Sequence, residues 1–576
     1  MSKKYHLVTT ALEETWPENG KVIFLGEWCR LYSRKKYWEN LDSVTLTYHW
    51  DDRSRLYADY LYANQLYEKI LPILSRHLNI THSENRSMRY WRILIGPWLA
   101  YFIHILMDRW LSIENALENY SISETIIING IEDSQIPNDM AEFCDYYQED
   151  IWNHFIYSEI IKYKKISFKT KEILREVGKV NLKRKTLREI IEESYWKISK
   201  RFMSQRDVFV KNSYLGRINE AKLHLKLGQL PQFWNEISAI KTNNQKEKRI
   251  WRLSIENANL FEDFLIGMIS RQIPKAFLEG YHLLKQQVQN SPWPTSPRTI
   301  FTSNILWHDT VSMAYVASKV DEGSRLVYGQ HGGVYGIAKF SFAEEHEIKI
   351  SDKYLTWGWC KLKTDKCIPV GINKPIKKCD DTWLSKDQLL LITLDLPRYS
   401  YRLCSESAIN YKNYLNRNVN FVKSLSNKLQ EKILVRLTPR EMGWSLSSRW
   451  IAHFPNIKID QGRTKIYQLM MRSRIVVLTY NQTGFLEALA MRIPTVLFCD
   501  LNTTPLNGGA IPYYDELKRV GIMHDSPESA ANHVNLVWDR VDDWWLDGDI
   551  QSVVHKFSLN YCRKSDDILD RIKNLL

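Results

Sequence analysis

The sequence predicts an α/β protein whose strands lie in parallel sheets. Short aliphatic and β-branched runs recur without polar alternation, as strands covered on both faces require: Lys21–Leu25, Val44–Tyr48, Thr299–Thr302, Arg325–Tyr328, Leu389–Leu394, Lys432–Leu437, Arg474–Thr479 and Ile493–Phe498. Stretches of helical period fall between many of them, as at Tyr57–Leu78, Ile305–Lys319 and Phe485–Met491. Several runs end in Gly, Asn, Asp, Thr or Pro, the residues that turn a backbone at a strand's carboxyl end.

The chain's 576 residues allow two to four domains with sizeable cores. An apolar share of 44% and a charged share of 25% are those of an ordinary globular protein. No repeat of fixed period is present. The 21 Trp and 31 Tyr suit carbohydrate or nucleotide sites and suit cores equally well. Eight scattered cysteines without a C-x-x-C argue against a zinc site or a disulfide framework and for a reducing compartment. The start, MSKKYHLVTT, lacks the apolar run of a signal peptide, so a cytoplasmic protein is expected. Trp91–Met107 is the most apolar window, but Arg92, Pro97 and His104 interrupt it, which predicts a buried helix or a pair broken at Pro97.

The net charge of +13 is uneven. Lys162–Arg201 holds fourteen Lys and Arg against five Glu. A solvated helical face explains that, and so does attraction to an anionic membrane surface or acceptor. No nucleic-acid recognition motif accompanies it.

The pattern divides the chain. Residues 1–139 read as a first α/β domain, 140–298 as a mainly helical insertion, and 299–350 as the return to that first domain. A second α/β domain is expected over 351–545, with a helical tail over 546–576.

The motif Arg325–Gly336, RLVYGQHGGVYG, runs from a buried strand into Gly329, Gln330, His331, Gly332 and Gly333. Glycines allow a sharp turn and the close approach of a ligand. A histidine at a strand's carboxyl end is placed for general base work, with Gln330 orienting a substrate. The alternative is a structural histidine in a glycine-rich connection. Glu27, after the first strand of the same domain, is the second candidate base, and Asn304, Trp307, His308 and Asp309 are expected near the same sheet edge.

In the second domain Arg398, Arg402, Arg436 and Arg440 follow or end strands. Asn481, Gln482, Thr483 and Gly484 lead from a strand into a helix whose first turn holds Glu487. Free amides, the helix dipole and arginines together make an anion cradle. Alternatively Thr483 is only a helix cap and the arginines make surface ion pairs. Asp547-Gly548-Asp549 has the form of a D-x-D metal motif, but it follows no strand and is discounted.

The segment TGFLEALAMRIPTVLF resembles the donor-domain motif of GT-B glycosyltransferases, with Thr483, Gly484, Glu487 and Pro494 matching it. The resemblance implies two Rossmann-like domains facing a cleft, with Glu487 on the nucleotide ribose. QHGG, then an Arg-Pro strand end, then the cradle resembles teichoic-acid glycerophosphotransferases and Kdo-type transferases. ALEETW, FLGEW, RYWRILIGPWL, QHGGVYG and RLTPR together are similar to transferases of bacterial surface-carbohydrate loci. Thr438-Pro439 stands where the polymerases have His-Pro, so a second catalytic histidine does not carry over. The implied function is transfer of a Kdo- or nonulosonate-type sugar from a CMP-linked donor to a glycan or lipid-linked acceptor, with no cofactor and no metal. The alternatives are a CDP-polyol phosphotransferase, a UDP- or GDP-hexosyltransferase, and a non-catalytic carbohydrate-binding scaffold.

Overall fold

The computed structural model describes residues 4–172, 204–361, 364–377, 383–406 and 410–576. It contains three parallel sheets rather than the two expected. The first joins β1 (Lys4–Val8), β2 (Val22–Phe24), β3 (Ser43–Thr45), β4 (Ser121–Asn129) and β5 (Phe168–Glu172) in the order 3-2-1-4-5. The second joins β6 (Phe209–Val210), β7 (Thr299–Thr302), β8 (Arg325–Gly329), β9 (Lys353–Thr356) and β10 (Cys367–Pro369) in simple sequential order. The third joins β11 (Leu389–Ile392), β12 (Ile433–Arg436), β13 (Lys458–Asp460), β14 (Ile475–Leu478), β15 (Thr495–Phe498) and β16 (Met523–His524) in the order 13-12-11-14-15-16. Every ladder in these sheets is parallel, as the unbroken apolar runs predict.

Two expected boundaries change. Residues 299–350 do not rejoin the first sheet. Their strands β7 and β8 pair with β6 and β9, which makes a separate unit extending past residue 351 to β10. The stretch 140–298 is not helical throughout, because β5 and β6 within it close the edges of two sheets. β5 is exposed along its whole length and so lacks the apolar signature of a buried strand, while β6 is apolar and buried but only two residues long. The basic stretch from residue 173 to Arg201 lies outside the described residues.

The apolar window forms two helices, Met88–Leu94 and Gly96–Asn119, bent by 60° with Pro97 in the first turn of the second. Every residue from Gly96 to Trp110 is buried, so its hydrophobicity serves the core. No single described helix is long and apolar enough to cross a membrane; this bent pair passes that test only when taken together. Farther on, Ile572 and Leu576 pack against Val210, Phe301, Val327 and Leu355 beneath the second sheet.

One segment ties the three units together. After β11 the chain crosses over the first unit as Asp395–Glu406. Arg398 donates to the Trp28 carbonyl at 2.6 Å and to both oxygens of Asp150, at 3.2 and 2.5 Å. Asp150 opens the Asp150–Tyr163 helix, where the dipole favours a carboxylate, and it also accepts from Ala11 N–H and the Tyr399 hydroxyl. Arg109, fully buried, donates to the Ser400 carbonyl at 2.8 Å and to Asn153 at 2.7 Å. Arg53 donates to the Ser405 carbonyl at 2.8 Å, and Ser405 N–H donates to Phe340 of the second unit at 3.0 Å.

Removing one partner of such a pair leaves a buried charge uncompensated. Asp150→Ala is expected to lower unfolding stability by about 2–5 kcal/mol. Urea denaturation measures it, and a loss below about 0.5 kcal/mol, the scatter of ordinary surface changes, would show that the units hold together without this pair.

Candidate functional site

The QHGG loop leaves β8 and sits on the amino end of the Thr483–Ala490 helix of the third unit. Gly333 N–H donates to Thr483 Oγ1 at 3.0 Å. A Cβ at Gly333 would lie 2.4 Å from Thr483 N and 2.6 Å from Gln482 C, which only glycine avoids. Gly329 is equally confined, with Ser303 Oγ 2.5 Å from a built Cβ, whereas the nearest atom at Gly332 belongs to Tyr335, at 3.7 Å. Gly329 and Gly333 are thus close-approach positions, but protein atoms approach them where a ligand was expected, and Gly332 has no such contact.

Thr483 does not cap the helix through its side chain. Gln482 occupies the cap position and makes no side-chain cap bond, so the first amides of this helix have no side-chain cap. Glu487 lies beyond the first turn rather than in it. It pairs with Lys374 Nζ at 3.0 Å, and that ammonium lies 5.3 Å from the Tyr214 ring and 5.9 Å from the Trp357 ring.

His331 stands beside this pair. Its ring is 6.0 Å from that of Tyr214, and its side chain is 18% exposed. Nε2 lies 3.3 Å from the Tyr335 hydroxyl and Nδ1 lies 3.7 Å from Glu347. Glu347 is fully buried and accepts from Trp307, Tyr335 and Tyr354, and burial holds its carboxyl well above the usual range. Burial, with the charges of Arg402 and Lys374, pushes His331 down to about 3, so its imidazole is neutral at pH 7. Gln330 has a structural place. It accepts from Trp357 N–H at 2.9 Å and Trp359 Nε1 at 2.8 Å and donates to the Gly332 carbonyl, which fixes the loop instead of facing a substrate.

The remaining arginines separate. Arg402 is near enough to His331 to affect it, and Arg398 is committed to the crossing segment. Arg436, buried at the end of β12, pairs with Asp460 at 3.2 Å. Arg440 is an exposed residue 3.6 Å from Asp145. Asn481 accepts from the Tyr514 hydroxyl at 2.6 Å, and Gln482 donates to Glu406. The four arginines do not form one cradle. Of the other expected neighbours, Asn304 donates to the Tyr214 hydroxyl, and Asp309 caps a helix and holds Lys211. Asp547 caps the Gly548–Tyr561 helix and Asp549 pairs with Arg519, which accounts for the D-x-D form.

Of two clefts, only the first is lined by Asn481 and Gln482. One, of about 380 Å³, opens where the order of the third sheet reverses between β11 and β14, the usual ligand position in such a sheet; Leu394, Glu406, Tyr414 and Thr479–Gln482 line it. Burial pushes Glu406 up to about 8. The other, of about 350 Å³, lies between the first and third units and contains Glu27, which pairs with Arg30 at 2.5 Å and lies 3.6 Å from Lys412. Glu27 and His331 therefore belong to different places.

Lys374, Tyr214, Glu347 and Glu406 were not singled out by the sequence. Lys374 had a signal: Gly371-Ile372-Asn373-Lys374-Pro375 is a strand-end loop after β10. Asn373 pins that loop to Ser213 and Ser303 at 2.9 and 3.1 Å. Glu406 had none, because only the crossing segment brings it to the cleft.

The sequence model of the LIC12162 family transferases matches residues 5–576, and the chain belongs to that family. This answers the scaffold alternative in favour of a transferase. No curated protein matches the chain. Among solved structures it is similar to the wall teichoic acid polymerase TagF, at 10% identity and a TM-score of 0.31 over 67% of this chain and 91% of that one. It is similar to MurG of Acinetobacter baumannii at 8% identity and a TM-score of 0.33 over 64% and 98%. It is also similar to WaaG, a glycosyltransferase involved in lipopolysaccharide biosynthesis, at 11% and 0.29 over 64% and 97%.

The loop–helix contact makes a sharp test. Gly333→Ala must displace the loop or the helix end and is expected to lower turnover about 10²-fold, as an ångström-scale misplacement does. Gly332→Ala should be tolerated. Equal turnover in both variants would mean that the contact does not position the site.

Proposed function

We propose that this transferase moves an acidic sugar of the Kdo or nonulosonate type from a CMP-linked donor to a glycan or lipid-linked acceptor, with the GT-B arrangement that its motifs resemble. The observation that supports it most is the seating of the QHGG loop against the amino end of the Thr483–Ala490 helix, which brings His331, Lys374 and Glu487 to one place. Donor phosphate takes the helix amides and Lys374, and Glu487 is released to the ribose. Arg402 adds positive charge for a second anionic group, which suits a donor carrying both phosphate and carboxylate.

In the reaction the acceptor oxygen bonds to the anomeric carbon as the bond from that carbon to phosphate breaks. The electron pair leaves with the nucleotide, and the hydroxyl proton passes to the neutral imidazole of His331. Lys374 and the helix end stabilise the phosphate charge that develops. Glu27 is the rival base, favoured by its place in the cleft between the first and third units.

A thermal-shift panel of CMP, CDP, UDP and GDP tests the donor: CMP is expected to stabilise most, by about 2.7 kcal/mol at a hundred times its dissociation constant. A larger shift with CDP, or with UDP or GDP, would instead assign the polyol or hexose donors. Lys374→Ala should weaken nucleotide binding by about 1.5–3 kcal/mol. His331→Ala should bind nucleotide normally and lose about 10²-fold or more in turnover. Near-normal turnover in His331→Ala, with Glu27→Gln inactive, would transfer the base to Glu27.

Anionic lipid remains the partner assigned to the basic stretch. Co-sedimentation with anionic vesicles at low salt and release at high salt is the expected behaviour. Equal recovery with neutral vesicles would end that assignment.

A further inference from the structure

A pocket of about 380 Å³ opens at the carboxyl end of β6, and Ser213, Tyr214, Arg217, Glu220, Phe233 and Trp234 form its wall. The backbone there is unusual. Asn212 at φ 51, Tyr214 at φ 64 and Gly216 at φ 74 are all left-handed, a region that a bulky residue such as tyrosine seldom enters. Buried bonds hold the loop: the Ser213 hydroxyl donates to Glu220 at 2.6 Å, and its carbonyl accepts from Asn373 at 2.9 Å and Ser303 at 3.2 Å. The strained turn places Tyr214 in this pocket and also beside His331 and Lys374.

The wall chemistry suits a polyol ring rather than an anion. Lys211 is already paired with Asp309 at 2.6 Å, and Arg217 faces the opposite charge of Glu220. A phosphate therefore gains little there. Half-buried Trp234 and Phe233, the latter with the Arg217 guanidinium 5.7 Å from its ring centroid, give the wall aromatic surface for the C–H side of a sugar ring, and Glu220 and Ser213 carry oxygens for its hydroxyls.

We infer that this pocket binds a sugar unit of the acceptor glycan and holds the neighbouring hydroxyl toward His331. The inference rests on the proposed transfer site, and it adds the acceptor's class and where the acceptor lies. Saturation-transfer NMR on the full chain, with methyl glycosides of glucose, galactose, N-acetylglucosamine and Kdo as probes, tests it. At least one probe should receive saturation, and Phe233→Ala and Arg217→Ala should each weaken its binding about tenfold. The nucleotide thermal shifts of both variants should stay at the wild-type value, so failure of this subsite is read separately from failure of the donor site. Silence from all four probes, or equal saturation in wild type and both variants, would overturn the assignment.

Discussion

Asp150 carries the assembly. Its carboxylate receives the guanidinium of Arg398, the hydroxyl of Tyr399 and the amide of Ala11, at the helix end where the dipole already favours negative charge. Through Arg398 it fixes Asp395–Glu406, and that segment runs on to Arg109, Arg53 and Phe340. Three parallel sheets, which also share one continuous apolar cluster, are thereby held in one relation. Had the chain entered a helix directly after β11, as an ordinary strand–helix crossover does, the third unit would lack this grip on the first.

The relation matters because the middle sheet has no topological switch point of its own. Its strands run in sequential order, so no reversal opens a gap at their carboxyl ends. The site forms instead where those ends meet the amino terminus of a helix from the third unit. Tyr214 comes from the end of β6, Asn304 from β7, His331 from β8 and Lys374 from β10. Their convergence follows from parallel pairing, which puts every carboxyl end on one edge.

Much of this was legible in the sequence. The strand runs were visible because burial on both faces removes polar alternation, and Gly333 was visible because a glycine pair after a strand signals backbone approach. The short edge strands β5 and β6 were not, and missing β6 hid the separate middle sheet. Arg398 was read as a phosphate ligand because a guanidinium at a strand end looks the same whether its partner is a substrate or a distant aspartate. Asp150 lies 248 residues away in sequence, and no local pattern connects the two. Gln330 misled for a related reason: its partners, Trp357 and Trp359, belong to a strand end assigned to another domain.

The crossing segment also limits how the molecule can move. Separating the first and third units as rigid bodies would strip Arg398 from Asp150, breaking a buried ion pair, and would take the Ser400 carbonyl from Arg109, which keeps Asp108 and Asn153. That costs several kcal/mol, more than a weakly bound substrate returns. Gly333 against Thr483 adds a second contact, between the middle and third units, with no room for sliding. Substrate entry is then left to the open clefts and to side chains at their rims. The Lys374–Glu487 ion pair adds a further link between the middle and third units beside the Gly333–Thr483 contact.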